Sequence, residues 1–356
     1  MKAGICFGTP VPNEANLAEI LCTRVPGVDQ VKFTCSGTEA VMAAIKAARA
    51  FTGRQVIAKL EGGYHGSYDY AEVSTTPHPA DWGDDIPASV PESVGTPQGV
   101  LDGVIVLPMN DLDRSLPLLD ARRSDIAAVI FDPMSNRAGM VPLSDGFVST
   151  LHQFTQDTGA LLIADQVVNF RQGYAGAMPR YGVAPDLVTF GKIVGGGFPA
   201  GAVGGRRDVM AMFDWSGGPM KANAAGTASA NPVAMTAGKV MLEHLTPEKF
   251  EEMDRLGERI RSGLNEALRA TGCPGSVNGR NSLFRIHLVD RPVESYRDSV
   301  LSKGEAKLWN DFYMALLARG VYLPAGGLSN VSTVTTDAEI DILLNAAEDS
   351  LREIQR

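Results

Sequence analysis

The 356-residue sequence contains few cysteines, few basic residues and no long apolar run. The four cysteines, Cys6, Cys22, Cys35 and Cys273, include no C-x-x-C pair, which indicates reduced thiols in a cytoplasmic protein and not a disulfide scaffold. The five histidines show no ligand spacing, so we expect no metal site. No run approaches the roughly 18 apolar residues of a membrane helix. We therefore expect no membrane partner.

The charge balance excludes a further class of function. Lysine and arginine total 32, aspartate and glutamate total 41, and the formal net charge is −9. General nucleic-acid binding depends on a basic face that neutralises phosphates, so we expect no nucleic-acid partner. A small anion needs only a local site and is still compatible with this composition.

Short β-rich runs alternate with helical stretches over the first two thirds of the chain. Predicted strands include "QVKFTCSG", "QVIAKLEG", "DIAAVIFDP", "ALLIADQVV", "PDLVTFGK" and "AGAVGG". Strands alternating with helices predict an α/β fold with a parallel sheet covered on both faces. From about residue 229 a long helical region begins and runs on through "PEKFEEMDRLGERIRSGLNEALRATG", followed by "SLFRIHLV", a helix near 303–319, "GVYLP" and a final helix at 337–354. This second part predicts a smaller α+β domain.

Two charged residues directly follow predicted strands. Asp165 closes the run "LLIAD", and Lys192 follows "LVTFG" and precedes the three glycines at 195–197. Ligands of open α/β sheets bind beyond the carboxyl ends of the strands. A lysine in such a crevice can act as a nucleophile and form an imine with an aldehyde. Taken alone, Asp165 could be a turn residue and Lys192 a solvated lysine, although glycines also mark close backbone approach to a ligand.

Two loops add further signals. The segment "CSGTEA" supplies Ser36, Gly37 and Thr38 at the start of a helix, where backbone N–H groups and hydroxyls can bind a phosphate. Ordinary helix capping explains the same pattern. The segment "EGGYHGSY" supplies Tyr64 and His65 after a strand, and an aromatic ring there can stack on a planar ligand. A packed loop tyrosine is the alternative.

Together these signals supply what a pyridoxal phosphate site requires: an amine for the aldehyde, a carboxylate for the ring nitrogen, a phosphate cradle and a stacking aromatic. The chain resembles the class III, fold type I pyridoxal-phosphate aminotransferases, close to the glutamate-1-semialdehyde 2,1-aminomutase subgroup. Nearly the whole chain is covered by the matching motifs, which are "FGTP", "VKFTCSGTEAVMAAIKAARAFTGR", "KLEGGYHGSYD", "LLIADQVVNFRQGY", "APDLVTFGKIVGGGFPAGAVGGRRDVM", "GTASANPVAMTAG" and "GVYLP".

The resemblance implies a mostly parallel large domain, a smaller α+β C-terminal domain and pyridoxal 5'-phosphate as cofactor. It implies that Lys192 forms the Schiff base and shuttles a proton, and that Asp165 keeps the ring nitrogen protonated. The other implied cofactor contacts are the phosphate ligands Ser36, Gly37 and Thr38, the ring contacts Tyr64, His65, Asn136 and Val167, and Thr227 from a neighbouring subunit. The last contact implies a homodimer with the active site at the subunit interface.

The sequence departs from the family pattern at three places. The family's Asp–Glu–Val reads Asp165–Gln166–Val167, which removes one charge near the ring. The asparagine expected to touch the ring hydroxyl falls on Arg137, with Asn136 one residue away. The glutamate that the aminomutases carry after "YLAPS" is missing from "YLPAGGLSNVST", which disfavours a true aminomutase.

The resemblance also sets the expected domain organisation. We predict an N-terminal helical segment over 1–30, a large cofactor-binding domain over 31–245 and a small C-terminal domain over 246–356. Relatives carry several dozen residues before "FG-x-P", so we expect the family's N-terminal unit to be missing and the site to be wetter. The Pro- and Ser-rich stretch 75–99 is predicted to be a long loop.

Three functions fit this sequence. The first is an aminotransferase that moves an amino group between an amine or amino acid and a keto acid or aldehyde in a ping-pong cycle. The second is an intramolecular aminomutase or a racemase acting at the same site. The third is a poorly active dimer that binds the cofactor.

Overall fold

The computed structural model describes Gly4, residues 9–216 and residues 218–355. Cys6 and the first two residues of the "FGTP" motif, Phe7 and Gly8, lie outside the described residues. The chain divides into two compact units. The larger unit contains the residues before Met134 together with Leu143–Thr246, and the smaller unit contains Met134–Pro142 together with the residues from Pro247 onward.

A seven-stranded sheet forms the centre of the larger unit. Its strands are β1 (Gln30–Thr34), β2 (Val56–Leu60), β3 (Val104–Leu107), β4 (Ile126–Phe131), β5 (Leu161–Asp165), β6 (Leu187–Phe190) and β7 (Gly201–Gly205), in the order β1-β7-β6-β5-β4-β2-β3. The strands β2 to β6 are parallel, and every residue of each is buried. The predicted strand "AGAVGG" forms β7, but it runs antiparallel to β1 and β6, so the sheet is mixed and not fully parallel.

Helices and turns connect these strands. The helices are α1 (Pro12–Arg24), α2 (Gly37–Thr52), α3 (Asp69–Glu72), α4 (Gln98–Asp102), α5 (Leu112–Ala121), α6 (Asp145–Thr158), α7 (Arg207–Met210) and α8 (Pro232–His244). The helix α2 is bounded by an N-cap hydroxyl, Ser36, and by Gly53 in the left-handed conformation. Its alanine-rich face is buried and lets the helix approach the sheet closely. The chain from residue 73 to residue 97 forms neither helix nor strand, consistent with the predicted loop.

The long helical region expected after residue 229 is interrupted. Helix α8 ends at His244, and α9 (Pro247–Thr271) begins three residues later. Pro247 has no backbone N–H to donate to the preceding turn, and its ring clashes with a continuous helix. The predicted helical region therefore consists of two helices, separated at residues 245 and 246.

The described residues of the smaller unit form a short antiparallel sheet and four α-helices. The strands are β8 (Ser276–Asn278), β9 (Leu283–His287) and β10 (Leu328–Asn330), and the helices after α9 are α10 (Tyr296–Ser299), α11 (Lys303–Ala318) and α12 (Asp337–Ile354). The segment "GVYLP" forms no strand; β10 follows it. Among the described residues no helix has the length and apolar character needed to span a membrane.

Candidate active site

The carboxylate of Asp165 lies at the end of β5 and is held by three donors. Its Oδ1 accepts hydrogen bonds from Val167 N (3.0 Å) and from Thr189 Oγ1 (2.9 Å). Its Oδ2 accepts a hydrogen bond from His65 Nδ1 (2.8 Å). Because the side chain is buried and bonded at both oxygens, its orientation is fixed by the protein alone. The expected position at the carboxyl end of a parallel strand is therefore observed.

His65 is buried beneath this carboxylate. Burial lowers the pKa of its imidazole, while the hydrogen bond to Asp165 acts in the opposite direction. A neutral ring that donates from Nδ1 carries its lone pair on Nε2, and Nε2 has no hydrogen-bond partner within the described part of the chain. The neutral histidine thus orients Asp165 without cancelling its negative charge.

The start of α2 presents unpaired backbone donors. Ser36 Oγ accepts a hydrogen bond from Glu39 N (3.2 Å), and the Glu39 carboxylate accepts one from Cys35 N (2.7 Å). The N–H groups of Gly37 and Thr38 donate to no acceptor among the described residues. Free N–H groups at the positive end of a helix dipole bind anions such as phosphate. Ser36 therefore caps the helix, and the next two residues leave an anion site open.

Val167 brings three parts of the sequence together. A β-carbon placed on Gly37 would lie 2.8 Å from Val167 Cγ2, and one placed on Gly191 would lie 3.1 Å from Val167 Cγ1. The same position on Gly191 is 3.5 Å from the α-carbon of Gly37. A β-carbon at Gly37 would therefore force Val167 to move, and one at Gly191 would make a contact tighter than most that real β-carbons make. The helix start at Gly37, the strand end at Asp165 and the turn at Lys192 meet here.

Lys192 begins a single 3-10 turn, Lys192–Gly195, directly after β6. Its φ is +48°, a left-handed value that costs a non-glycine residue about 1 kcal/mol or more and that occurs frequently at functional sites. The side chain is exposed, and its Nζ makes no hydrogen bond or ion pair with the described residues. Gly196, also left-handed, packs against α8, where a β-carbon would overlap the carbonyl of Ala237. Gly196 therefore fixes the turn against a helix.

The remaining predicted site residues lie on less regular segments. Tyr64 is 37% exposed in the loop after β2. Thr38 Oγ1 accepts a hydrogen bond from Ser67 N (3.4 Å), which connects this loop to the start of α2. Thr227 is exposed before α8 and lines a cavity of about 1270 Å³ beside the edge strand β1.

Asn136 belongs to the 134–142 segment of the smaller unit, where its carbonyl accepts a hydrogen bond from Arg285 Nη1 (2.8 Å). Its contact with a cofactor ring hydroxyl stays a prediction.

Gln166, the departure from Asp–Glu–Val, is fully buried, and its Oε1 accepts a hydrogen bond from Ala177 N (2.6 Å). The amide of Gln166 thereby holds the turn that precedes Ala177.

Sequence reasoning missed one donor to Asp165 and a buried lysine near the site. Thr189 donates to Asp165 from the neighbouring strand, and only the register of β5 with β6 reveals this contact. Lys59 lies in the all-buried strand β2, and a lysine in the apolar run "VIAKL" was a visible signal that the prediction did not use. The partner of His65 was also missed, because it lies 100 residues away in the sequence.

The residues present fit pyridoxal phosphate. The fit is shown by the open donors at Gly37 and Thr38, by the glycines that leave space at Val167, and by an oriented carboxylate in the same place. This arrangement on a mostly parallel sheet defines a fold type I pyridoxal-phosphate enzyme.

Comparisons with known proteins agree with this class. The family model "Aminotransferase class-III" matches residues 4–351, and the chain belongs to that family. Glutamate-1-semialdehyde 2,1-aminomutase 2 of Bacillus pumilus is 36% identical over 100% of this chain and 81% of its own length. A crystal structure of an omega-transaminase from Sphaerobacter thermophilus is 44% identical, with a TM-score of 0.95 over 100% of this chain and 81% of that one.

A second solved structure shows the cofactor of the family. It is described as a transaminase with PLP bound and is 37% identical, with a TM-score of 0.90 over 99% of this chain and 80% of that one. The protein is thus a class III pyridoxal-phosphate-dependent enzyme, as the sequence predicted.

Proposed function

We propose that the protein is an aminotransferase that moves an amino group between an amine or amino acid and a keto acid or aldehyde, with Lys192 and Asp165 as catalytic residues. The packing of Val167 against the positions of Gly37 and Gly191 carries the proposal. Around this side chain meet the helix start that leaves N–H groups open, the strand that ends at Asp165 and the turn that begins with Lys192.

Each residue has a role in this proposal. Bound pyridoxal phosphate supplies an aldehyde that captures primary amines and a ring that accepts the electron pair of a broken C–H bond. The Nζ of Lys192 would hold the aldehyde carbon until the substrate amine displaces it. Once free, it would take the proton from the substrate carbon that bears nitrogen and deliver it to the former aldehyde carbon. Asp165 keeps a proton on the ring nitrogen. The contacts proposed to hold the cofactor are Ser36, Gly37, Thr38, Tyr64, His65, Asn136, Val167 and Thr227.

A donor screen tests this function. Protein loaded with pyridoxal phosphate is mixed with single amines and amino acids, and the visible band of the bound cofactor and the carbonyl product are followed. An aminotransferase consumes the band and releases one carbonyl product per site before any acceptor is added. Wild-type protein that gains no visible band with the cofactor would contradict the whole proposal, and a band that no donor changes would favour a poorly active binding dimer.

Aminomutase activity is the second candidate, because similar curated proteins are named glutamate-1-semialdehyde 2,1-aminomutase. Residues 321–332 of this chain contain no carboxylate, which supports the aminotransferase. The two functions differ in stoichiometry. An aminomutase accumulates an isomeric amino product from one substrate without any acceptor, whereas an aminotransferase stops after one turnover per site.

We place the active site in a homodimer, with Thr227 reaching the phosphate held by the other subunit. The position of Thr227 supports this arrangement, since it lies exposed beside an edge strand, in a segment separate from Lys192. Sedimentation of the loaded protein should give twice the chain mass.

Complementation in a mixed dimer tests the role of Thr227. Lys192→Ala and Thr227→Ala chains are co-expressed with different tags, and the mixed dimer is purified. If Thr227 acts across the interface, one site of the mixed dimer carries both lesions and the other carries none, so about half of the wild-type activity returns. If Thr227 acts within its own chain, both sites are damaged and no activity returns.

The cellular location is also a proposal. Cys22, Cys35 and Cys273 are free thiols, which supports a reducing compartment such as the cytoplasm. Fractionation of cells that express the tagged chain would test this.

A further inference from the structure

Lys59 is a fully buried lysine near the end of β2, a strand whose every residue is buried. Lysine is almost never buried without partners, because removing an ammonium group from water is costly. No carboxylate lies within ion-pair distance of its Nζ in the described part of the chain. Its partners are therefore neutral, and they identify what the side chain holds in place.

All of these partners belong to the loop that follows β2. The Nζ donates to the carbonyl of Gly63 (2.9 Å), to the carbonyl of Val73 and to Thr75 Oγ1 (3.4 Å). Thr75 Oγ1 also donates to the Gly63 carbonyl (3.2 Å), and Gly62 N donates to the Ser74 carbonyl (2.9 Å). One ammonium group thus ties together the two ends of the loop between Gly63 and Thr75.

This loop carries the site residues Tyr64 and His65. Gly63, whose carbonyl binds Lys59, also borders the histidine, since a β-carbon on Gly63 would lie 3.0 Å from His65 Nε2. The other ring nitrogen of His65 donates to Asp165. A continuous set of contacts therefore runs from the ammonium of Lys59 through Gly63 and His65 to the catalytic carboxylate.

The charge of Lys59 also favours the neutral form of His65. The positive charge of Lys59 lowers the pKa of His65 in addition to the effect of burial. A neutral His65 can donate to Asp165 only from Nδ1 and leaves the carboxylate charged. Burial lowers the pKa of Lys59 itself to about 7, and the more distant Glu92 and Glu72 act in the opposite direction.

We propose that Lys59 is a positioning residue for the cofactor. It closes the 63–75 loop, so that His65 orients Asp165 and Tyr64 is held beside that carboxylate. Lys59 touches neither substrate nor cofactor in this role. The inference rests on the proposed function, because it assigns the loop to the ring of bound pyridoxal phosphate.

Two measurements on Lys59→Met test the proposal. Methionine preserves the length and burial of the side chain and removes all three donors. In the apoprotein, hydrogen exchange of peptides from 61–75 should become at least about tenfold faster, as expected when a cluster of hydrogen bonds that closes a loop is lost. The dissociation constant of pyridoxal phosphate should rise about tenfold or more, with a smaller change in the Km for the amino donor.

Leu119→Ala is the matched control. Leu119 is fully buried in α5 of the same unit and makes no part of the loop, so its truncation lowers stability without altering the 61–75 peptides or the cofactor affinity. Lys59→Arg, which keeps a charged donor, should recover part of the affinity. If Lys59→Met proves insoluble, Thr75→Val removes one member of the cluster and should change both measurements in the same direction.

The outcomes separate the two proposals. A wild-type protein that forms no visible band with pyridoxal phosphate overturns the proposed function, and the role of Lys59 with it. A wild-type band together with wild-type cofactor affinity in Lys59→Met overturns the positioning role alone. Faster exchange in 61–75 with unchanged affinity also overturns it, since the loop would then be structural only.

Discussion

His65 Nδ1 donates to Asp165 Oδ2 over 2.8 Å, and both side chains are buried. Because burial favours the neutral imidazole, this pair combines a neutral donor with a charged acceptor and is not an ion pair. Thr189 and the backbone of Val167 occupy the other carboxylate oxygen. The direction of the carboxylate is therefore set before any ligand binds, which is the preorganisation that electrostatic catalysis requires.

Asp165→Asn should separate charge from orientation. The amide keeps the size of the side chain but loses the negative charge, so we expect kcat/KM to fall about 10³-fold, a size typical of lost electrostatic stabilisation at a reacting centre. Steady-state kinetics with the best amino donor measure this loss. Thr189→Val is the matched variant, because it removes one donor to Asp165 and leaves the charge; its loss should stay near tenfold. Equal losses in the two variants would show that orientation, not charge, matters.

Lys192→Ala should remove the covalent attachment of the cofactor. After borohydride treatment of the loaded wild-type protein, the peptide that contains Lys192 should carry the added mass of the cofactor. In the treated variant no peptide should carry this mass. We expect kcat to fall at least about 10³-fold, because both the nucleophile and the proton carrier are lost. Lys221→Ala, which removes an exposed lysine in the same unit, should keep both label and activity. Label on another lysine in wild-type protein would refute the assignment.

The local features of the site were predicted well because short segments encode them. Ser36 caps α2, as the alternative reading of "CSGTEA" indicated, and Asp165 and Lys192 follow strands as expected. Contacts between distant segments were not predicted. The antiparallel direction of β7, the donor Thr189 and the pairing of His65 with Asp165 depend on strand order and register, which hydrophobic periodicity does not encode.

Gly37→Ala should disturb the site by sterics alone. The added methyl group would lie 2.8 and 2.9 Å from the two terminal carbons of Val167, and overpacking of this kind costs about 1–3 kcal/mol. We expect a lower melting temperature and weaker binding of pyridoxal phosphate, measured by calorimetry and by titration of the apoprotein. The double variant with Val167→Ala restores the space and should recover most of the stability. Gly146→Ala, in α6 where a β-carbon meets nothing within 4 Å, is the control and should not lower the stability.

His287 gives the smaller unit a defined dependence on pH. It is buried in β9, donates from Nε2 to the Gly139 carbonyl (2.8 Å), and has its pKa lowered to about 4 by burial and by the neighbouring Arg285 and Arg291. An unfolded histidine binds its proton near pH 6.5, so below that pH the unfolded chain holds more protons than the folded one. Stability therefore falls as the pH is lowered from about 6.5 towards 4, by about 2 kcal/mol at pH 5.

His287→Gln should reduce this dependence, because glutamine offers an N–H to Gly139 but does not titrate. Melting temperatures are measured by calorimetry between pH 7.5 and 5. We expect the fall over this range to be about 4–8 °C smaller in the variant than in the wild type. His78→Gln, which changes an exposed histidine, should follow the wild-type curve. Parallel curves for wild type and His287→Gln would place the acid sensitivity elsewhere in the protein, whereas a flatter curve confined to His287→Gln would assign it to this buried imidazole.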